Sequence, residues 1–254
     1  MRWVGAVTGV ALIGVAVLLV TGWTPGVWTS QEDRDEIDAA VVRLDLSSGD
    51  VTVRRGAVER ISLFARAHSW WGEPDQGWRS DGDTVVLGDC GWRCTVDYEL
   101  VVPPGIRVEG KTESGSVTVD GAETVDVEVS SGSIDLSNVT GAVAATTSSG
   151  SVTLARIGGP STAHSSSGSI TGRGLAGPVD ATTSSGDVTL DLTGQQDVHA
   201  ETSSGDVALT VPPGNYRVDS PGGDEERIEV VDDPNARYTL ELSTSSGDVS
   251  VRPR

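Results

Sequence analysis

The chain has 254 residues and a formal net charge of −19, with 37 acidic residues against 18 lysines and arginines. That length has room for one large domain or two small ones. A surface this acidic repels phosphate backbones, which argues against nucleic acid as a partner, and it also repels anionic lipid headgroups.

The chain begins with an apolar stretch of the length that a membrane span requires. Residues Val4–Trp23 carry no charge, and a helix that rises about 1.5 Å per residue would cross the roughly 30 Å hydrocarbon layer. Arg2 precedes the stretch and acidic residues follow it, so the positive-inside rule places the rest of the chain outside the cytoplasm. We predict a transmembrane signal-anchor over residues 1–23. A cleaved signal peptide, with a weak site at 20–22, is the alternative.

The next two segments lack the regular pattern that follows them. Residues 24–38 are polar and aperiodic, which indicates a linker. Residues 39–105 contain strand-like runs, an early copy of a repeated phrase around Gly49, and a loop insertion at 69–83. We interpret 39–105 as an antiparallel β cap with a loop insertion, because a solenoid needs such a cap to cover the open end of its core.

The chain has two cysteines, Cys90 and Cys94, separated by three residues. In an exported protein the simplest interpretation is a disulfide that closes a short loop. A metal site would need two more ligands, and the three histidines show no ligand spacing.

From residue 106 onwards, the phrase Ser-Ser-Gly, followed by Ser or Asp and then Val or Ile, returns at a nearly constant interval. A variant with Glu113 in place of the first serine opens the run at Gly115. The glycines, at steps of 17 to 19 residues, are Gly115, Gly132, Gly150, Gly168, Gly186 and Gly205. A fixed period of this length is typical of a solenoid. The fifth residue before each glycine from the second onwards forms a column of small apolar residues, Val127, Ala145, Ala163, Ala181 and Ala200. No 3.6-residue period occurs, so we predict an all-β fold, a short single-stranded β-solenoid over residues 106–254.

No constellation in the sequence is typical of an enzyme. The repeated serines are turn residues and no Gly-x-Ser-x-Gly elbow is present. Arg156 and Arg173 stand alone in neighbouring repeats, with no acidic pair beside them. We therefore predict a non-enzymatic protein with no catalytic residue, no cofactor and no metal site.

Two aspartates leave one question about cations open. Asp187 and Asp206 follow the glycine in successive repeats, so stacking would place them about 4.8 Å apart. A Ca²⁺ ion would relieve their repulsion. An aspartate that caps its own turn in solvent is the simpler interpretation, and a Ca²⁺ site is the alternative.

Four tryptophans lie in or beside the insertion, Trp70, Trp71, Trp78 and Trp92. Aromatic side chains in an external loop stack on sugars or seat a partner. They can equally cover the open end of the solenoid. We keep them as a candidate ligand or partner patch, with both interpretations open.

The repeated Ser-Ser-Gly-Asp/Ser-Val/Ile phrases, after the entry Tyr98-Glu-Leu-Val-Val-Pro-Pro-Gly105, resemble the bacterial putative-adhesin family of unknown function that is built from β-strand repeats. The likeness covers about residues 40–251. It implies an exported or membrane-anchored protein and supplies no catalytic residues. Our hypothesis is a membrane-anchored extracytoplasmic module for binding, adhesion or envelope scaffolding, linked to envelope-stress signalling, with cell-wall glycan or envelope proteins as partners. The alternatives are a carbohydrate-active β-helix enzyme and self-association through the coil ends.

Overall fold

The computed structural model describes residues 29–69 and 73–254, so the predicted signal-anchor at 1–23, together with Trp70 and Trp71, lies outside the described residues. The described residues form 24 strands joined by turns and bends, and no helix among them is long and apolar enough to cross a bilayer. In chain order the strands are β1 (Thr29–Ile37), β2 (Val41–Ser48), β3 (Val51–Arg55), β4 (Ile61–Ser69), β5 (Trp78–Asp81), β6 (Thr84–Gly88), β7 (Cys94–Val102), β8 (Arg107–Ser114), β9 (Val117–Asp120), β10 (Thr124–Ser131), β11 (Ile134–Ser137), β12 (Val143–Ser149), β13 (Val152–Ala155), β14 (Ser161–Ser167), β15 (Ile170–Leu175), β16 (Val179–Ser185), β17 (Val188–Leu192), β18 (Val198–Ser204), β19 (Val207–Val211), β20 (Asn215–Asp219), β21 (Glu226–Ile228), β22 (Val231–Asp232), β23 (Thr239–Thr244) and β24 (Val249–Pro253).

The strands form two long sheets that face each other. The first sheet has the order β1-β4-β7-β3-β9-β11-β13-β15-β17-β19-β24-β21, and the second has the order β22-β20-β23-β18-β16-β14-β12-β10-β8-β2-β6-β5. Each repeat gives a strand to the second sheet, turns at Ser-Ser-Gly, and gives a shorter strand to the first sheet. The repeat strands pair in parallel with their equivalents in the next coil, for example β12 with β14. The predicted β-solenoid is confirmed.

The core lies between the two sheets and is built from stacked columns. The alanines at the fifth position before the turn glycine pair directly, Ala145 with Ala163 and Ala181 with Ala200, and all four are buried. On the first sheet the inward residues are mainly valine, isoleucine and leucine, and they are buried as well. The inward side chains of both sheets therefore form one hydrophobic core.

The Ser-Ser-Gly corners bring the backbones of neighbouring coils into close contact. Gly150 has a φ of +149°, and a Cβ on it would lie 2.1 Å from the carbonyl oxygen of Gly132. A side chain there would meet backbone that cannot move aside. The corner therefore needs glycine for space as well as for its backbone conformation.

A ladder of buried hydroxyl groups runs beside these corners. From β12 onwards, the third residue before the turn glycine is Thr or Ser, and its hydroxyl donates to the carbonyl of the turn glycine in the preceding coil at 2.9 to 3.0 Å. The donors are Thr147, Ser165, Thr183, Thr202 and Thr244. In β10 the same position holds Val129, which has no hydroxyl. The ladder gives each buried carbonyl a partner that the strand bonds do not provide.

At both ends the order of the coils in space differs from their order in the chain. Strands β6 and β7 lie outside β2 and β3, which in turn pair in parallel with the repeat strands β8 and β9. At the other end β20 and β21 lie outside β23 and β24. The intervals of 66 residues from Gly49 to Gly115 and 42 residues from Gly205 to Gly247 therefore each contain an additional outer coil.

This topology changes two of the boundaries predicted from the sequence. Residues 39–105 are not an antiparallel cap, because β2, β3, β6 and β7 continue the two parallel sheets without a break. Antiparallel pairing in this region is confined to β1 with β4, β4 with β7, and β5 with β6. The separation into a cap and a solenoid at residue 105 has no counterpart in the sheets.

The polar segment predicted as a linker, 24–38, contains strand β1 over most of its described part. It pairs along its whole length with β4, from Thr29 opposite Ser69 to Ile37 opposite Ile61. The guanidinium groups of Arg34 and Arg66 lie 5.1 and 5.3 Å from the centre of the Phe64 ring. A charged edge strand shows no hydrophobic alternation, and its charges discourage pairing with another chain. The segment therefore shows no strand-like alternation because it forms the edge of the sheet.

The hydroxyl ladder predicts an asymmetric response to replacing two adjacent threonines with valine. Thr183→Val keeps the side-chain shape but leaves the Gly168 carbonyl without its donor, so we expect a loss of about 1–3 kcal/mol in unfolding free energy. Thr182→Val, on the outward face of the same strand, should change stability by less than about 0.5 kcal/mol. Urea unfolding followed by circular dichroism measures both. Equal midpoints for the two variants would show that the ladder contributes nothing.

Candidate functional site

A cleft of about 550 Å³ lies on the outer face of the second sheet, at the end where β5 and β6 close the solenoid. Its floor is formed by outward residues of β2, β8 and β10, and its wall by segments 76–79 and 88–89. We call it the Trp78 groove; its lining is Asp45, Leu46, Ser47, Gln76, Gly77, Trp78, Arg79, Gly88, Asp89, Lys111, Thr112, Glu113, Glu128 and Ser130. A cleft of this size is within the range of small-ligand sites.

The groove continues across the same face into a second cleft of about 530 Å³. The two clefts share Asp45, Lys111 and Glu128, which pair in register across β2, β8 and β10. In the second cleft Arg43 forms an ion pair with Glu109 at 2.6 Å. The combined surface is therefore elongated, which suits an extended ligand better than a compact one.

The wall of the groove is held by a set of hydrogen bonds behind it. The backbone nitrogen of Gly88 donates to the carbonyl of Gly77 at 2.6 Å, and the Tyr98 hydroxyl donates to the carbonyl of Gly88 at 2.8 Å. Burial raises the pKa of Tyr98 well above its usual range, so the hydroxyl stays protonated and remains a donor. A Cβ on Gly77 would lie 2.4 Å from that hydroxyl oxygen. The wall thus has little freedom to move.

Asp89 fastens the wall to the floor. Its carboxylate accepts the backbone nitrogen of Ser47 at 2.8 Å and the Ser47 hydroxyl at 2.7 Å. Ser47 belongs to β2, and Asp89 directly follows β6. Because both oxygens of Asp89 are engaged, this carboxylate shapes the groove more than it offers itself to a ligand.

Trp78 gives the groove an apolar surface. The side chain is half-buried and packs against the core. Its indole Nε1 is buried and has no hydrogen-bond partner among the described residues. Since the polar nitrogen is inside, the part of the ring that lines the groove is carbon, which is the part that stacks on a flat apolar face.

The tryptophan patch predicted from the sequence is only partly assembled here. Trp78 lines the groove, whereas Trp92 does not. Trp92 is 79% exposed and its ring lies 4.6 Å from the Arg93 guanidinium. It lies within the loop closed by the disulfide between Cys90 and Cys94, whose Cα atoms are 5.5 Å apart. The predicted disulfide is confirmed.

The charges in the groove are mostly negative. Asp45, Asp89, Glu113 and Glu128 face Arg79 and Lys111. Among the described residues, Glu113 forms no ion pair within 4.0 Å. In the sequence Glu113 stands out only as a variant of the repeat phrase, and Asp45, Lys111 and Glu128 were not predicted as site residues. The signal that could have found the site is this variant, because every other copy of the phrase has Ser at that position.

The aspartates at the corners bind the next coil. The Oδ1 atom of Asp187 accepts the backbone nitrogen of Asp206 at 3.0 Å, and Oδ1 of Asp206 accepts that of Asp248 at 2.9 Å. Each carboxylate thus caps the turn of its neighbour and not its own. Within the described part of the chain, no cluster of three or more His, Cys, Asp or Glu residues could hold a metal ion.

Arg156 belongs to a structural ladder on the first sheet. Its Nε donates to the Asn138 side-chain oxygen at 2.7 Å, and the Asn138 amide donates to Asp120. The hydrogen bonds from Asn138 and Ser137, with Arg156 nearby, lower the pKa of Asp120. Arg156 therefore has a role in holding the coils together, whereas Arg173 forms no ion pair among the described residues.

Comparison with known proteins identifies the family. A model of the Toastrack DUF4097 family matches residues 34–252. The chain belongs to the Toastrack DUF4097 family. This confirms the predicted resemblance. A search of the curated proteins finds no match.

Solved structures with low sequence identity match most of the chain, and one of them shows the same fold. A "putative adhesin" from Bacteroides fragilis NCTC 9343 is 12% identical, with 89% of this chain and 97% of that chain covered and a TM-score of 0.53. "Putative adhesins" from Parabacteroides distasonis ATCC 8503 and Parabacteroides merdae ATCC 43184 are each 11% identical over 89% of this chain and cover 98% and 97% of theirs, with TM-scores of 0.31 and 0.32. At these identities the first likeness shows a shared fold and nothing further.

The packing behind Trp78 predicts that Gly77→Ala disturbs the groove. The added Cβ would collide with the Tyr98 hydroxyl, so we expect a loss of about 1–3 kcal/mol and a shifted indole resonance for Trp78. Gly194→Ala is the matched control, because its Cβ would lie 3.5 Å from a flexible glutamine side chain. Nitrogen-15 spectra, with Trp78→Phe to assign the resonance, test this. An unchanged Trp78 indole resonance in Gly77→Ala would show that the contact between Gly77 and Tyr98 does not fix the position of the groove wall.

The ladder on the first sheet predicts a change in acid sensitivity. A lowered pKa at Asp120 stabilises the fold above the pKa of the unfolded carboxyl, and that contribution is lost as the pH falls through the lower folded value. Asn138→Gly removes the amide donor while keeping the backbone conformation, for which φ is +55°. We expect the pKa of Asp120 to rise towards its ordinary value. Carbon-13 titration of the carboxyl group measures it, and an unchanged pKa would show that the amide is not the cause.

Proposed function

We propose that this chain is a non-enzymatic, membrane-anchored binding module outside the cytoplasm and that its Trp78 groove binds a glycan of the cell envelope. The observation that carries the proposal is the groove itself, in which the carbon face of one half-buried tryptophan stands beside exposed hydroxyl, amide and carboxylate groups. Sugars present both apolar C–H faces and many hydroxyl groups. An aromatic surface bordered by polar groups is complementary to both.

The position of the groove supports a ligand from the same cell's envelope. Strand β1 starts at Thr29, so five residues, 24–28, separate it from the end of the predicted anchor at Trp23. A chain of five residues reaches at most about 18 Å. An anchored molecule would therefore hold its β1 end, where the groove also lies, close to the membrane. Adhesion to a distant surface would favour a site at the opposite end.

A scaffold or signalling role follows from the same placement. A rigid solenoid that holds envelope glycan near the membrane can couple the glycan layer to membrane neighbours. A module linked to envelope-stress signalling needs such a connection between the glycan layer and the proteins of the membrane. The B. fragilis protein that shares this fold is named a "putative adhesin", which supports surface display.

The arrangement of the groove favours binding over hydrolysis. Glycosidases place two carboxyl groups on either side of the scissile bond. The carboxylates that pair across the floor are Asp45 and Glu128, and Lys111 lies between them in register. The ammonium group would occupy the space that the scissile bond needs. A carbohydrate-active enzyme remains the alternative that the experiment below separates.

We expect the full-length chain, solubilised in mild detergent, to sediment with purified cell-wall glycan. Trp78→Ala should weaken this binding at least about tenfold, because truncating a central aromatic in a binding site typically costs 2 kcal/mol or more. Trp92→Ala, which alters an exposed tryptophan outside the groove, is the matched control and should bind as wild type does. Thermal unfolding of each variant checks that the fold is kept.

Three outcomes would overturn the proposal. Equal binding by wild type and folded Trp78→Ala would move the ligand away from the groove. Release of new reducing ends from the glycan during incubation, abolished by Glu128→Gln, would show an enzyme. Retention of no glycan or envelope component by the wild-type chain would also contradict a binding module.

A further inference from the structure

We propose that the Trp78 groove selects glycans with free amino groups over N-acetylated or anionic glycans, and that Glu113 is the residue that makes this selection. The inference rests on the proposed function, since it names the ligand class of the same site. It is carried by the distribution of charge in the groove and by the departure of one residue from the repeat.

The groove and its extension carry an excess of negative charge. Their six acidic residues are Asp45, Asp89, Glu109, Glu113, Asp126 and Glu128, against Arg43, Arg79 and Lys111. An anionic polymer entering this surface would be repelled. A ligand with ammonium groups would be attracted, and the attraction would weaken as salt is added.

Most of these acidic groups already have a cationic neighbour or a structural partner. Glu109 pairs with Arg43 at 2.6 Å, and Asp89 accepts two hydrogen bonds from Ser47. Lys111 lies in register between Asp45 and Glu128. Asp45, Glu113, Asp126 and Glu128 form no ion pair within 4.0 Å among the described residues. Glu113 differs from Asp45 and Glu128 in its cross-strand neighbours, which are the serines Ser47 and Ser130 and not a lysine.

The neighbours of Glu113 make it suitable for an amino sugar. The residues after Ser47, Glu113 and Ser130 pair across β2, β8 and β10, so the carboxylate lies between two hydroxyl groups. All three side chains line the groove with Trp78. A carboxylate receives an ammonium group by a charge-assisted hydrogen bond. The tryptophan face adds a cation–π attraction that a neutral acetamide does not provide.

The repeat itself indicates that Glu113 is not needed for the fold. In the other copies of the phrase the same position is serine, at Ser47, Ser130, Ser148, Ser166, Ser184, Ser203 and Ser245. Serine meets every requirement of that corner. The single acidic replacement occurs in the coil that forms the floor of the groove. Its carboxylate is therefore available for a ligand.

The test compares three oligosaccharides on the full-length chain in mild detergent by titration calorimetry. The probes are a glucosamine tetramer, an N-acetylglucosamine tetramer and a galacturonic acid tetramer. We expect the glucosamine tetramer to bind at least tenfold tighter than the N-acetylated one at low salt. The preference should shrink at about 0.5 M salt, where the Debye length falls to a few ångströms.

The variant Glu113→Ser restores the residue of the repeat and should fold as wild type does. It should weaken the glucosamine tetramer about tenfold and leave the N-acetylated tetramer unchanged. Glu99→Gln, an exposed carboxylate on β7 of the other sheet, is the matched control and should change neither. Lys111→Gln, which removes a like charge from the groove, should tighten the glucosamine tetramer.

Failure of this inference can be told apart from failure of the proposed function. Equal or tighter binding of the N-acetylated tetramer, with loss on Trp78→Ala, would keep a glycan site and overturn the amino selectivity. An unchanged preference in Glu113→Ser would overturn the role of Glu113. No binding of any tetramer, while Trp78-dependent retention on cell-wall glycan persists, would likewise overturn the ligand class. No retention at all would remove the proposed function with it.

Discussion

The close approach of backbones at the Ser-Ser-Gly corner is the constraint on which the rest of the structure depends. A Cβ at Gly150 would lie 2.1 Å from the carbonyl of Gly132, so each coil can stack only if its corner carries no side chain. The same carbonyl accepts the hydroxyl of Thr147 from the next coil at 3.0 Å. Glycine permits the approach and the hydroxyl satisfies the oxygen that the approach buries. The repeat phrase therefore recurs because the same backbone contact is made between each pair of neighbouring coils.

Because that contact fixes the middle of the solenoid so tightly, variation is left to its ends and its outer faces. The additional outer coil at the amino-terminal end adds β6 and β5 to the edge of the second sheet, where Trp78 borders the groove. Another cleft, lined by His199, Arg217 and Arg237, lies near the opposite end of that sheet, where the second outer coil is inserted. The clefts are thus found where the repeat is interrupted. Function in such a fold lies in what is added to the scaffold.

Features that arise from coils consecutive in the chain could be predicted from the sequence. Features that arise from coils far apart in the chain could not. The period and the alanine column predicted the solenoid, because Ala145 and Ala163 stack at a fixed interval. Strand β1 was missed, since a charged edge has no alternation to detect. The groove was missed for another reason. Asp45 and Lys111 are 66 residues apart in sequence and meet only because the chain reverses the order of its first coils. No local pattern records that reversal.

The rigidity of the scaffold also bears on how recognition would work. Gly77, Gly88 and the Tyr98 hydroxyl hold the groove wall from behind, and Asp89 ties it to Ser47 on the floor. A preformed site loses little conformational entropy when it binds, so modest contacts can suffice. Selectivity in such a site comes from fixed charge and shape rather than from closure. That places the discrimination on single exposed residues such as Glu113, which can change without disturbing the stack beneath them.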